Sequence, residues 1–139
     1  MNKESNWNDC IETCSSLSIT PDNAKAKSLI DTAQGRIGFL FNLEIEEKSA
    51  NYIFEAYYSS VLEILHSILL INGYKVLNHI CLGYYLRDVM KKDNLFRLFD
   101  NCRYKQNSLI YYGRKMDFET AKDVIDKSKE LINQLIKLK

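Results

Sequence analysis

One stretch of the chain concentrates residue types suited to holding a phosphodiester: Arg103-Tyr104-Lys105-Gln106-Asn107-Ser108-Leu109-Ile110-Tyr111-Tyr112-Gly113. On a helix, Arg103, Asn107 and Tyr111 stand four apart and line up on one face, with Gln106 beside them. A guanidinium, an amide and a phenol on one face can grip a phosphodiester through charge-assisted and neutral hydrogen bonds. Tyr104 and Tyr112 add flat rings on which a base can stack. The same spacing also describes the polar side of an amphipathic helix that ends in tyrosine-rich packing. Residue types alone leave both readings open.

Other chemistry has few carriers. The chain has two histidines. His66 falls on an apolar helix face and reads as a core histidine, and His79 follows Asn78 at a helix opening, where it packs or caps. Neither belongs to an HxxxH or HExxH pattern, so no metal site and no metal cofactor is expected. There is no Gly-rich phosphate loop and no GxSxG elbow. Cys10, Cys14, Cys81 and Cys102 form no CxxC pair, and a helix would hold Cys10 and Cys14 at the far edge of disulfide reach. The expectation is four buried or half-buried thiols in a reducing cytoplasm.

Composition narrows the class. At 139 residues, 46% hydrophobic and 27% charged, the chain fits one globular domain. One Pro and five Gly disfavour a turn-dense β-sandwich or a disordered linker. The net charge of +1 excludes a uniformly basic nucleic-acid binder, but the charge is unevenly spread. Residues 1–86 carry six Lys/Arg against ten Asp/Glu, a net −4, and residues 87–115 carry eight against three, a net +5. A net +5 in so short a segment suits a phosphate-facing surface, or a solvated face that helps solubility or meets the acidic half of a second copy. The first residues lack an apolar core of signal-peptide length, and the run from Ile64 to Ile71 is too short for a bilayer. A soluble cytoplasmic protein without membrane partners is expected.

The elements that must position these groups are helical. Thr20 reads as an N-cap ahead of Pro21, and Ala26, Ile30, Ala33, Ile37, Leu40 and Phe41 follow as one apolar stripe. Ser49 opens a second segment with Ile53, Phe54, Tyr57, Val61, Leu65, Ile68 and Leu69 inward, closed by Asn72-Gly73. Leu77, Ile80, Cys81, Tyr84 and Val89 mark a third. Leu95, Leu98, Phe99, Cys102 and Leu109 mark a fourth, stopped by Gly113. Asp117 caps the last, with Phe118, Ala121, Ile125, Ser128, Ile132 and Leu135 three and four apart. The spacing predicts helices over 22–43, 49–72, 77–91, 94–112 and 117–138, and no window alternates long enough for a strand. This is an all-α antiparallel bundle of four to five helices over residues 21–139. Residues 1–20 form an extension in which Trp7, Cys10, Ile11, Cys14 and Leu17 suggest a short helix.

The order of these elements resembles the HEPN domain family. The resemblance rests on Glu55-Ala56-Tyr57-Tyr58 in the long helix, on Gly73 ending it, and on Asn78-His79 opening the next. It continues through Gln106 to Gly113 and the closing helix from Phe118 to Leu138, covering roughly residues 22–138. It implies a compact helical bundle, a homodimer, and a metal-independent ribonuclease of toxin–antitoxin or defence type beside a small nucleotidyltransferase partner. The family's active signature is an Arg, commonly followed by Asn, and a His five positions after the Arg. Here Asn107 keeps its place, while Gln106 stands for the Arg and Tyr111 for the His.

Those departures weaken the chemistry. A neutral Gln cannot act as a charged clamp, and a phenol with a reference pKa near ~10 is a poor base at pH 7. Arg103, one turn earlier, carries the charge in a different register. Three functions follow as expectations: an RNA- or nucleotide-binding protein with a degenerate ribonuclease site, an active endoribonuclease using Arg103 and Tyr111 with Gln106 and Asn107 beside them, or a non-enzymatic partner of a nucleotidyltransferase.

Overall fold

The computed structural model describes residues 4–138, which form a helical bundle with one small two-stranded sheet. In chain order the elements are α1 (Trp7–Glu12), β1 (Ser16–Ser18), α2 (Asn23–Phe41), α3 (Ala50–Ile71), β2 (Tyr74–Val76), α4 (His79–Tyr84), α5 (Asp93–Tyr112) and α6 (Phe118–Lys137). A single π-helical turn, Tyr85–Val89, carries the chain from α4 towards α5. Helix α3 packs against α2 and α6, and α5 packs against α6 and α4. The centre is filled by Phe54, Tyr57, Ile64, Leu65, Phe99, Ile125 and Leu131, all essentially inaccessible to water.

Local chemistry fixes the helix ends. Asn78 and Asp117 accept from the amides of Ile80 and Thr120, at 3.2 and 2.8 Å, and so hold the starts of α4 and α6. The turns after α3 and α5 need positive φ, which Gly73 (86°) and Gly113 (60°) supply. The start of α2 is Asp22, not Thr20: its carboxylate accepts from the amide of Lys25 at 3.0 Å, leaving Pro21 outside the helix. Ser49 precedes α3, but its hydroxyl donates back to the Glu46 carbonyl instead of capping the helix.

The third predicted segment is shorter and broken. Its helix begins at His79 and gives way to the π turn at Tyr85. Leu77 and Val89, assigned inward by periodicity, are exposed at either end, and Phe41 at the end of α2 is 77% exposed. Each lies at or beyond an element terminus, where the apolar face no longer has a neighbour to meet.

Non-local contacts govern the first twenty residues. Strands β1 and β2 pair antiparallel, Leu17 opposite Lys75, although each has only three residues and shows no alternation. Cys10 and Cys81 form a disulfide with Cα atoms 6.1 Å apart, which corrects the expectation of four thiols. The bonded pair is 71 residues apart, so spacing could not reveal it. Cys14 is exposed and Cys102 buried. Around the bridge, the Trp7 amide donates to Asp88 at 2.8 Å, and the Tyr84 hydroxyl donates to the Glu4 carbonyl at 3.3 Å. The Trp7 indole meets Tyr74 and Tyr85 edge-on at 5.2 and 5.0 Å.

By length and composition α3 is apolar enough to cross a membrane, but 67% of its most apolar window is buried in the bundle. It is built as a core helix. The α4–α5 contact is equally specific: a Cβ at Gly83 would meet Phe99 at 2.9 Å and Phe96 at 3.0 Å. Only glycine lets α4 lie this close to α5.

The bridge should be measurable directly. Thiol titration in denaturant without reductant should find two thiols per chain, and finding four would show the bridge absent. Because it closes a loop of 71 residues, its reduction should lower unfolding free energy by about 4 kcal/mol, read from urea midpoints with and without a dithiol.

Candidate functional site

Where α5 passes the start of α4, a cleft of about 570 Å³ opens, lined by Leu77, Asn78, His79, Ile80, Arg103, Asn107 and Tyr111. Three of the four singled-out residues therefore meet. The reason is angular: at about 100° per residue, Asn107 and Tyr111 lie about 40° and 80° round the helix from Arg103. Gln106 lies about 60° the other way. It does not line the cleft, and its Oε1 is buried without a hydrogen-bond partner among the described residues. The expectation that Gln106 stands beside the other three is corrected on this ground.

Arg103 is held in place. Its Nε and Nη2 donate to Asp100 Oδ1 at 3.1 and 2.9 Å, and its side chain is 19% exposed. Two of its five N–H donors are thus engaged, and the rest remain for an acceptor in the cleft. Tyr111 is 75% exposed at the outer end. Tyr58 packs parallel to Phe99 at 6.2 Å, and its buried hydroxyl has no hydrogen-bond partner among the described residues. Burial pushes that phenol well above its ordinary range, against the opposing pull of the Arg103 charge.

The sequence reading missed His79. It stands across the cleft from Arg103, brought there by the α4–α5 contact. Partial burial, reinforced by the Arg103 charge, lowers its pKa, so at neutral pH it is an uncharged imidazole able to accept a proton. Its ring meets that of His66 on α3 edge-on, with centroids 6.3 Å apart. Burial first, then His79 and Lys25, bring His66 down to about 4. The only sequence signal for His79 was its place after the Asn78 cap.

The net +5 of residues 87–115 also resolves into particulars. Its three acids are matched within the segment: Asp88 by Arg87, Asp93 by Arg97 and Asp100 by Arg103. The excess rests on Lys91, Lys92, Lys105, Arg114 and Lys115, none of which forms an ion pair among the described residues. No group of three or more His, Cys, Asp or Glu side chains among the described residues is arranged to hold a metal ion. The donors in the cleft suit an anionic oxygen ligand.

In comparisons with known proteins, no family model, no curated protein and no solved structure matches this chain.

The buried histidines predict acid sensitivity. Between pH 6.5 and about 4 the unfolded chain takes a proton at position 66 that the folded chain resists, so stability falls as pH falls through that window. The loss is at most about 3 kcal/mol from His66. Urea unfolding at pH 7 and pH 4.5 should show it, and His66→Gln should shrink the difference.

Proposed function

We propose that this chain is a HEPN-like RNA-binding protein whose cleft between α4 and α5 receives a phosphodiester, on a bundle that retains the family's helical order but a degenerate catalytic motif. The observation that carries the reading is the convergence of Arg103, Asn107 and Tyr111 on one cleft, beside a segment whose cations outnumber its acids. Arg103 supplies charge, Asn107 a neutral donor and acceptor, and Tyr111 an accessible phenol. The same reading takes the protein as a homodimer within a toxin–antitoxin or defence module, alongside a small nucleotidyltransferase. The segregation of a −4 region from a +5 region supports self-association through complementary faces.

The test is a titration with a short fluorescent RNA at 50 and 200 mM salt. Binding should weaken at least about ten-fold between the two, because phosphate contacts release counterions. Arg103→Ala should weaken binding and flatten that salt slope. Absence of binding at low salt would end the reading.

A second reading, active metal-independent endoribonuclease, is favoured by His79. A neutral imidazole facing a guanidinium across a cleft pairs a proton acceptor with a phosphate clamp. In that chemistry His79 takes the proton of a ribose 2′-hydroxyl as its oxygen attacks phosphorus. The P–O5′ bond breaks, and the leaving oxygen takes a proton from solvent. Cleavage in the presence of a chelator should then rise with pH and level off by neutrality, as His79 loses its proton below the ordinary histidine range. His79→Ala should abolish cleavage while RNA binding persists. Cleavage unchanged in that variant would remove His79 from the chemistry.

A further inference from the structure

Helix α5 ends in an unusual surface. Tyr104, Tyr111 and Tyr112 are 65%, 75% and 70% exposed, and none is needed for the core. Tyr104 and Tyr111, seven residues apart, lie within about 20° of each other round the helix, on the side that carries Asn107. Tyr112 stands about 80–100° further round at the helix end, and an exposed aromatic cluster of this kind marks an interaction surface.

Their surroundings say what kind of cover. From Arg103 to Lys115 the chain carries four cations and no acid. Arg114 lies over the Tyr112 ring at 5.5 Å from its centroid. Lys115 sits at the hydroxyl edge of Tyr52, itself 57% exposed on α3, and its ammonium donates to the Tyr52 hydroxyl at 3.2 Å. A cation on one face of a ring leaves the opposite face for a second planar group.

The surface is also preorganised. The buried Asn51 amide clamps the loop after α5 from both sides, donating to the Met116 carbonyl at 3.0 Å and accepting from the Met116 amide at 2.9 Å. That clamp anchors the loop carrying Arg114 and Lys115 against α3. An apolar protein surface would meet three cations without an ion pair here, Lys105, Arg114 and Lys115, whereas a nucleic-acid strand brings both flat rings and negative charge.

We propose that the outer face of α5 is a stacking platform for single-stranded RNA: unpaired bases lie on Tyr104, Tyr111 and Tyr112 while the adjoining phosphate enters the cleft at Arg103 and Asn107. The proposal rests on the RNA-binding reading above and names its substrate class. Bases in a duplex already stack on one another and present only edges and backbone, so a tyrosine platform selects against them. Stacking tolerates any base, and the platform therefore discriminates by strandedness more than by sequence.

The test uses the full chain with a 12-nucleotide RNA, the same strand annealed to its complement, and an abasic strand of equal length. The single strand should bind at least about ten-fold more tightly than the duplex or the abasic strand. Tyr111→Ala and Tyr112→Ala should each weaken single-strand binding about five- to one-hundred-fold, with Tyr→Phe at either site retaining most affinity. Duplex binding should be unchanged in Tyr112→Ala, which lies outside the cleft, and circular dichroism should confirm that both variants fold. Equal affinity for single strand and duplex, insensitive to both tyrosine variants, overturns the platform and leaves the phosphate-binding cleft standing. Failure of all three probes to bind at 50 mM salt overturns the cleft reading as well. Stoichiometric occupation of this face by a second copy, shown by loss of self-association in the Tyr111→Ala variant without change in RNA affinity, likewise overturns it.

Discussion

Helix α3 is apolar on nearly all sides, and a helix of that kind is stable in water only when other elements cover it. Fourteen of its residues are buried, from Ala50 to Leu70. Each large side chain among them contributes about 1.5–3 kcal/mol when removed from water, far more than propensity or caps supply. The other helices are arranged by this need. Helices α2 and α6 each bring an apolar stripe to α3, and α5 reaches the core through Leu95, Phe99 and Cys102. Polar atoms inside the bundle are few and mostly engaged, as where the Ser128 hydroxyl donates to the Val124 carbonyl at 2.8 Å. Arg36 and Glu63 pair between α2 and α3, with Ser60 accepting from the same guanidinium.

The cleft depends on a second constraint, the closeness of α4 to α5. Gly83 sits against Phe96 and Phe99, and the cleft lined by Asn78 and Tyr111 opens between the same two helices. The wall containing His79 is braced from behind by the N-terminal segment through the Cys10–Cys81 bridge. Arg87 extends the bracing: it donates to the Ser5 carbonyl at 3.0 Å and lies over the rings of Tyr84 and Phe96 at 4.7 and 5.0 Å. Residues 4–18 thus stiffen one side of the candidate site without entering it.

Charge and aromatic surface converge on the same end of the molecule. The acids of residues 87–115 are paired with neighbouring cations on α5 and the π turn, which leaves Lys91 and Lys92 unpaired before α5, Lys105 along it, and Arg114 and Lys115 in the loop that follows. Exposed tyrosines occupy the α5 terminus as well. Arg103, His79 and Tyr111 line one cleft, and Tyr104 and Tyr112 are exposed on the same helix.

The sequence by itself determined the helices. Apolar residues at three- and four-residue spacing marked α2, α3, α5 and α6 to within a few residues, because their burial repeats with the helical period whatever they pack against. Gly73, Gly113 and Asp117 were legible for the same reason, since turn geometry and capping are local. The face shared by Arg103, Asn107 and Tyr111 was equally legible, as it lies on one helix. The tertiary structure alone decided the rest. Cys10 meets Cys81, β1 meets β2, and His79 meets Arg103 across 71, 58 and 24 residues of chain respectively, and periodicity carries no information about partners so far apart. Gln106 was misplaced by the opposite error. Its neighbours in sequence suggested a shared face, and the pitch of the helix turned it away from the cleft.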